Sequence, residues 1–237
     1  CKLKKKLRMT KNITLLILIF IISSCSAQEN FKDYYYQIGK KKEIKVYKYV
    51  DKNNPKNIEY WSVTTNPKTN KILTESFTTD FRLYNIFEEE LKTNGAEIIR
   101  YADFEVDDEK QNIRIDGTIV DKDVYKWNDT NKYTYSVKYT SPKYGNEQFI
   151  KERTKNSLEN ITVSGTEYST LKFKDEYEIK SLENDQNYEF YQFTYYAKGI
   201  GMVKYERYHP DGTTIELELT EILTEKEFDE LKEKASR

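Results

Sequence analysis

Few side chains in this sequence have the chemistry to make or break bonds. Histidine occurs once, at His209, and cysteine twice, at Cys1 and Cys25. A single histidine leaves most catalytic triads and histidine-based metal sites without their parts. His209 itself stands in His209-Pro210-Asp211-Gly212, which reads as a β-turn with proline at its second position. The acidic clusters Asp107-Asp108-Glu109 and Asp121-x-Asp123 could hold calcium weakly. They lack the EF-hand spacing and its late bidentate glutamate, and solvated turns account for them better. The sequence has no Walker A loop, GxGxxG, HExxH or nucleophile elbow. Glycoside hydrolysis needs only two carboxylates, and 40 acidic residues always offer a pair without marking one. The expectation is a protein without catalytic residues, cofactor or metal, with a carboxylate-based hydrolase as the weakest alternative.

What the sequence has in excess is aromatic surface, with 21 Tyr, 11 Phe and 2 Trp in 237 residues. Tyr188, Phe190, Tyr191, Phe193, Tyr195 and Tyr196 load both faces of one β-forming run with rings. Such a strand needs cover on both sides. It is either a central strand, lying between the core and a C-terminal helix, or part of a groove for an acyl chain, glycan or peptide. The candidate groove comprises Trp61, Tyr135, Tyr191, Phe193 and Tyr195.

The elements that would position these residues begin after an export signal. Lys2, Lys4, Lys5, Lys6, Arg8 and Lys11 precede an apolar run from Ile13 to Ile22, closed by Ser23, Ser24 and Cys25. The run is too short to span a bilayer, which takes roughly 20 residues. Met9 already stands ahead of a complete, short signal of this kind. The junction Ile22-Ser23-Ser24-Cys25 resembles the lipobox of bacterial lipoproteins, which implies cleavage before Cys25 and acylation of it. The expected organisation is a signal peptide over 1–24, a lipid anchor and tether over 25–38, and a single β-rich domain over 39–237. Removing residues 1–24 takes away six basic residues and no acidic ones, so the net charge moves from −1 to −7. That excess disfavours a nucleic-acid partner. A membrane reached through the N-terminal lipid, a hydrophobic ligand and an envelope protein remain as expected partners.

Past the tether the pattern is mostly strand. Residues 44–50, 58–64 and 72–77 are β-rich runs divided by Asn/Asp/Pro turns. Residues 80–93 fit either a helix or a strand, but Asn94-Gly95 favours a hairpin over 86–101. Gly117 predicts a bend, and Asp121 to Asn131 reads as a polar loop around Trp127. Tyr133, Tyr135, Val137 and Tyr139 alternate with polar residues as a half-buried strand does. Short β runs at 148–151 and 158–163 and a strand over 168–179 follow. Residues 188–196, 202–208 and 213–222 form a meander turned at Gly199-Ile200-Gly201 and at the His209 turn. Thr224-x-x-Glu227 is a capping box, and Phe228, Leu231 and Ala235 predict a short terminal helix over 225–235. The fold class is mainly β, a curved antiparallel sheet (half-barrel, barrel-like or sandwich) with that helix.

Two stretches carry a further resemblance. Ile161-Thr162-Val163-Ser164-Gly165 with Tyr168-x-x-Leu171-Lys172-Phe173, and then Tyr195-Tyr196-Ala197-Lys198-Gly199-Ile200-Gly201-Met202-Val203-Lys204, resemble a loose set of uncharacterised bacterial cell-envelope lipoproteins. The resemblance implies an antiparallel β fold exposed in the periplasm or at the cell surface, and it implies no activity; the expected placement is a lipid anchor at the outer membrane, with the periplasmic or the surface side left open. The expected role is a non-catalytic scaffold or binding module; the alternative is a carrier or sensor that holds a hydrophobic ligand in the aromatic groove.

Overall fold

The computed structural model describes residues 30–128 and 132–236. The chain divides into two units, Cys1–Asn30 and Phe31–Arg237, and the second is described here. The signal, the lipobox and Cys25 lie outside the described residues.

The second unit opens with a short 3-10 turn, Phe31–Tyr34, followed by thirteen strands. These are β1 (Glu43–Asp51), β2 (Ile58–Asn66), β3 (Lys71–Phe77), β4 (Leu83–Leu91), β5 (Gly95–Val106), β6 (Asn112–Asp116), β7 (Thr118–Lys126), β8 (Tyr133–Ser141), β9 (Gly145–Val163), β10 (Thr166–Ser181), β11 (Asn187–Ala197), β12 (Gly201–Tyr208) and β13 (Thr214–Thr224). A helix, α1 (Glu225–Ala235), ends the chain. Neighbouring strands pair antiparallel, β1 between β2 and β13, and the sheet closes on itself because β4 also pairs with β5 and so joins the two ends of that order. The result is a twelve-stranded barrel. Strand β6 is a spur. Strand β5 pairs with β7 through Gly95–Glu97 and hands its far end, Ala102–Val106, to β6.

Closure suits the alternation. A closed sheet gathers the inward apolar residues of the strands into one interior while removing the open edges. Tyr47 and Tyr49 of β1, Val63 of β2, Ile72 of β3, Phe173 of β10, Tyr196 of β11 and Leu217 of β13 share one core cluster. Ile98, Tyr101, Val124, Tyr135 and Val137 form a second. The opposite phase carries ion pairs, among them Lys71–Glu88, Arg100–Glu88, Lys172–Glu159 and Lys204–Glu216. Among the described residues, no helix is long and apolar enough to cross a membrane.

Residues 83–91 are strand, and the predicted hairpin is β4–β5. Two expectations are corrected. The stretch from Asp121, read as loop because it is polar, continues as β7 to Lys126. Asp121 and Lys122 are exposed while Val124 and Tyr125 are buried. The short runs around 150 and 160 are one strand of 19 residues, β9, bent by a bulge opposite Lys172/Phe173.

Helix α1 forms as its cap predicts. Thr224 Oγ1 accepts from the Glu227 N–H at 3.3 Å and the Glu227 carboxylate accepts from the Thr224 N–H at 2.7 Å. Its single buried ring, Phe228, packs on Tyr60, Phe77 and Phe81 with centroids 5.3, 5.3 and 5.7 Å away. The helix therefore covers the outside of β1–β3 and β13, and not the aromatic strand β11 as the ring-loaded sequence had suggested. Strand β11 meets its two-sided demand differently, as described below.

Candidate functional site: the barrel interior

One end of the barrel is stoppered by the chain that leads into it. Tyr34, Tyr35 and Tyr36 are all buried. Tyr35 stacks among Tyr125, Trp127 and Tyr196, and its hydroxyl donates to the Glu89 carboxylate. Phe31 is tied by its backbone to Trp127 and to the Tyr125 hydroxyl. Tyr36 lies against Gly201, whose φ of +105° and lack of a Cβ let the ring in; an added Cβ would sit 2.4 Å from it. Above this stopper the interior is hollow. The cavity measures about 340 Å³, within the range of small-ligand pockets.

The walls are arranged in rows set by strand register. Across β8 to β11 runs Tyr135, Lys151, Tyr177 and Phe190. One inward step deeper runs Arg153, Asp175, Gln192 and Arg207, across β9 to β12. The deeper row is bonded end to end. Arg153 grips Asp175 with two hydrogen bonds of 2.6 and 2.8 Å. Thr194 donates to Asp175 at 2.6 Å, Gln192 to Thr194 at 3.0 Å, and the Arg207 Nε to Gln192 at 3.0 Å. Lys151 reaches down to Asp175 at 3.0 Å. The upper row is a stack: Tyr177 and Phe190 lie face to face with centroids 4.5 Å apart. Lys151 sits 5.0 Å from the Tyr177 ring, and Arg207 sits 5.3 Å from Phe190.

Burial sets the charge states. The Arg153 and Lys151 charges beside Asp175, with its hydrogen bonds, overcome its desolvation and hold its carboxyl well below the usual range. Lys151 shares that single carboxylate with Arg153, and desolvation together with Arg153 lowers it to about 8. Glu89 on the facing wall is pushed up to about 7 by burial, against the pull of Tyr35, Arg153 and Lys151. Glu59 accepts from Trp61, Tyr84 and Tyr205 at 3.0, 2.9 and 2.9 Å. Asp103 accepts from Tyr101 and Asn85 at 2.7 and 2.9 Å, and burial raises it.

Of the residues singled out in the sequence, Trp61 and Tyr135 line this cavity. Tyr191, Phe193 and Tyr195 alternate with the inward Gln192, Thr194 and Tyr196, and so face outward. There they are capped by cations: Lys172 stands 4.5 Å from Phe193 and 5.0 Å from Tyr195, and Lys174 5.5 Å from Tyr191. Lysine stems thus cover the outer rings of β11. His209 closes its predicted turn and meets Tyr188 at 2.7 Å. Asp107 accepts the Gln111 N–H at 2.7 Å within its turn, and Asp121 is bound by Ser136 at 2.6 Å. Among the described residues, no group of three His, Cys, Asp or Glu side chains could hold a metal ion.

The polar floor of the cavity was missed in the sequence. Its signal was there, in the phase: Asp175 shares the inward parity of Phe173 and Tyr177, and Gln192 and Thr194 that of Phe190. A charged residue in an apolar phase marks a buried polar site.

No protein-family model matches the chain, and no curated protein matches it. Two solved structures are similar in part. One, from Parabacteroides distasonis and provisionally described as a lipoprotein, has a TM-score of 0.47 at 12% identity, over 80% of this chain and 98% of its own. The other, from Bacteroides fragilis and provisionally described as an exported protein with a YmcC-like fold, has a TM-score of 0.32 at 11% identity, over 80% and 99%.

Proposed function

We propose that this protein is a lipid-anchored binding module of the bacterial cell envelope, held by an acylated Cys25 and carrying a small, largely apolar molecule inside its barrel. The observation that carries the reading is the aromatic-walled hollow above the stopper. A concave, mostly apolar hollow with a few convergent polar groups is the form that small-molecule sites take. Every acid described in that interior is engaged by hydroxyl, amide, indole or cationic donors of the chain, an arrangement that binds and orients rather than one that activates a nucleophile. The lipobox and the tether supply the anchoring half of the proposal, with the outer membrane as the placement.

Native mass spectrometry on the chain from Ser26, which holds the whole described barrel, tests the reading when the protein is extracted gently from its own host. A reproducible added mass that delipidation removes is the expected result. A bare mass, or one equal to a complex with another protein, would move the weight to a scaffold. A Thr74→Phe variant, which fills the cavity from β3, is expected to lose the added mass and keep its fold.

A further inference from the structure

The interior acids and bases are not matched alike. Glu59, Glu89 and Asp103 each have their own neutral donors, and Asp175 is enclosed by Arg153, Thr194 and Lys151. The cations have fewer partners. Lys151 has only a share of a carboxylate that Arg153 already grips with both oxygens. Arg207 spends its Nε on the neutral Gln192, and among the described residues it forms no ion pair. Lys151 and Arg207 are thus half-buried cations on the cavity lining, neither with a carboxylate of its own in direct contact, although Glu59 behind Tyr205 attracts Arg207 from a distance. Partly desolvated charges of that kind favour a counter-charge.

Their placement says how the counter-charge would arrive. Lys151 and Arg207 flank the same stacked pair, Tyr177 on Phe190, one cation beside each ring. Phe149 and Tyr135 continue the aromatic wall next to them, with centroids 5.9 Å apart. Polar recognition thus sits at one side of an apolar chamber, with both cations on its lining.

We propose that the molecule held in the barrel is an organic anion with an apolar body and a single acidic head, a carboxylate or phosphate group, seated between Lys151 and Arg207. This rests on the interior-binding reading above and specifies its ligand class. A guanidinium and an ammonium offer several charge-assisted donors to such a head, and removing one of them costs about tenfold in affinity.

A pair of fluorescent probes separates the two ideas. Anilinonaphthalene sulfonate and N-phenylnaphthylamine share a ring framework and differ by one acidic group. The delipidated chain from Ser26 is expected to bind the sulfonate at least about tenfold more tightly than the neutral probe. Lys151→Met and Arg207→Gln are each expected to weaken the sulfonate about tenfold and leave the neutral probe within about threefold. The neutral probe is thus also the control for a variant that folds poorly. Displacement by decanoate and by decyl phosphate, but not by decanol, identifies which head is preferred. Equal affinity for both probes, unchanged in the variants, would overturn the acidic-head inference and leave interior binding standing. Failure of both probes to bind, with Thr74→Phe behaving as the parent, would overturn both.

Discussion

Buried acids inside the barrel make its stability depend on pH. Glu89 is the most informative, because its folded pKa of about 7 stands above its ordinary 4.5. The folded state holds that proton more tightly than the unfolded chain. The stabilisation is complete below about pH 4.5 and fades as pH rises through about 7. Gln at this position can still accept the Tyr35 hydroxyl and cannot ionise. Glu89→Gln is therefore expected to be more stable than the parent at pH 8 by roughly 1–3 kcal/mol and to match it near pH 4, as read from urea melts across pH. Asp175 behaves oppositely. Asp175→Ala strands Arg153 and Lys151 in the interior and should cost about 3–5 kcal/mol at neutral pH. Adding Arg153→Met should restore a good part of that loss in the same denaturation assay. None of these roles was legible as a motif. Strand parity does place Asp175, Gln192 and Thr194 among inward apolar residues, but parity alone does not say which residue of the neighbouring strand stands opposite, and the bulge in β9 shifts the count. The Arg153–Asp175 pair spans β9 and β10 and is fixed only by their register.

At the level of elements, local chemistry was readable where it was self-contained. The capping box at Thr224, the turn at His209 and the Asn94-Gly95 hairpin each involve residues a few positions apart, and each forms. Strand β7 and the unbroken β9 were harder, since both carry polar residues on either face, Lys151 and Arg153 of β9 among the inward ones, and so lack a clean apolar alternation. The helix position was hidden for another reason: Phe228 finds Tyr60, Phe77 and Phe81, which are remote in sequence. Phe228→Ala should cost about 3 kcal/mol, and Thr224→Ala about 1 kcal/mol, in thermal or denaturant unfolding. Because α1 is on the outside of the sheet, neither variant is expected to change probe binding in the cavity. A drop in probe affinity that parallels the loss of stability would mean that the helix shapes the interior after all.

For the whole molecule, closure was the step the alternation could only suggest. Inward aromatic phases fit a half-barrel, a sandwich or a full barrel equally well. What decides between them is the pairing of β1 with β13, from Lys45 opposite Thr224 to Asp51 opposite Leu217. The stopper depends on that closure, since Tyr35 reaches Glu89 on one wall and stacks on Tyr196 on another. A chain beginning at Ile38 loses three buried tyrosines and leaves Glu89 without its donor. It is expected to melt far below the parent and to expose apolar surface, which dye binding at low temperature would reveal. The β1–β13 seam also has a consequence in time. A chain that emerges amino end first makes β1–β4 early, yet β1 waits for a partner more than 160 residues behind it. Until β13 arrives, one flank of the growing sheet stays unsealed and ready to pair with a neighbour's. The seam is therefore the last part of the barrel to close. Slowing that final pairing, rather than weakening the finished barrel, is expected to be the surest way to make the chain aggregate.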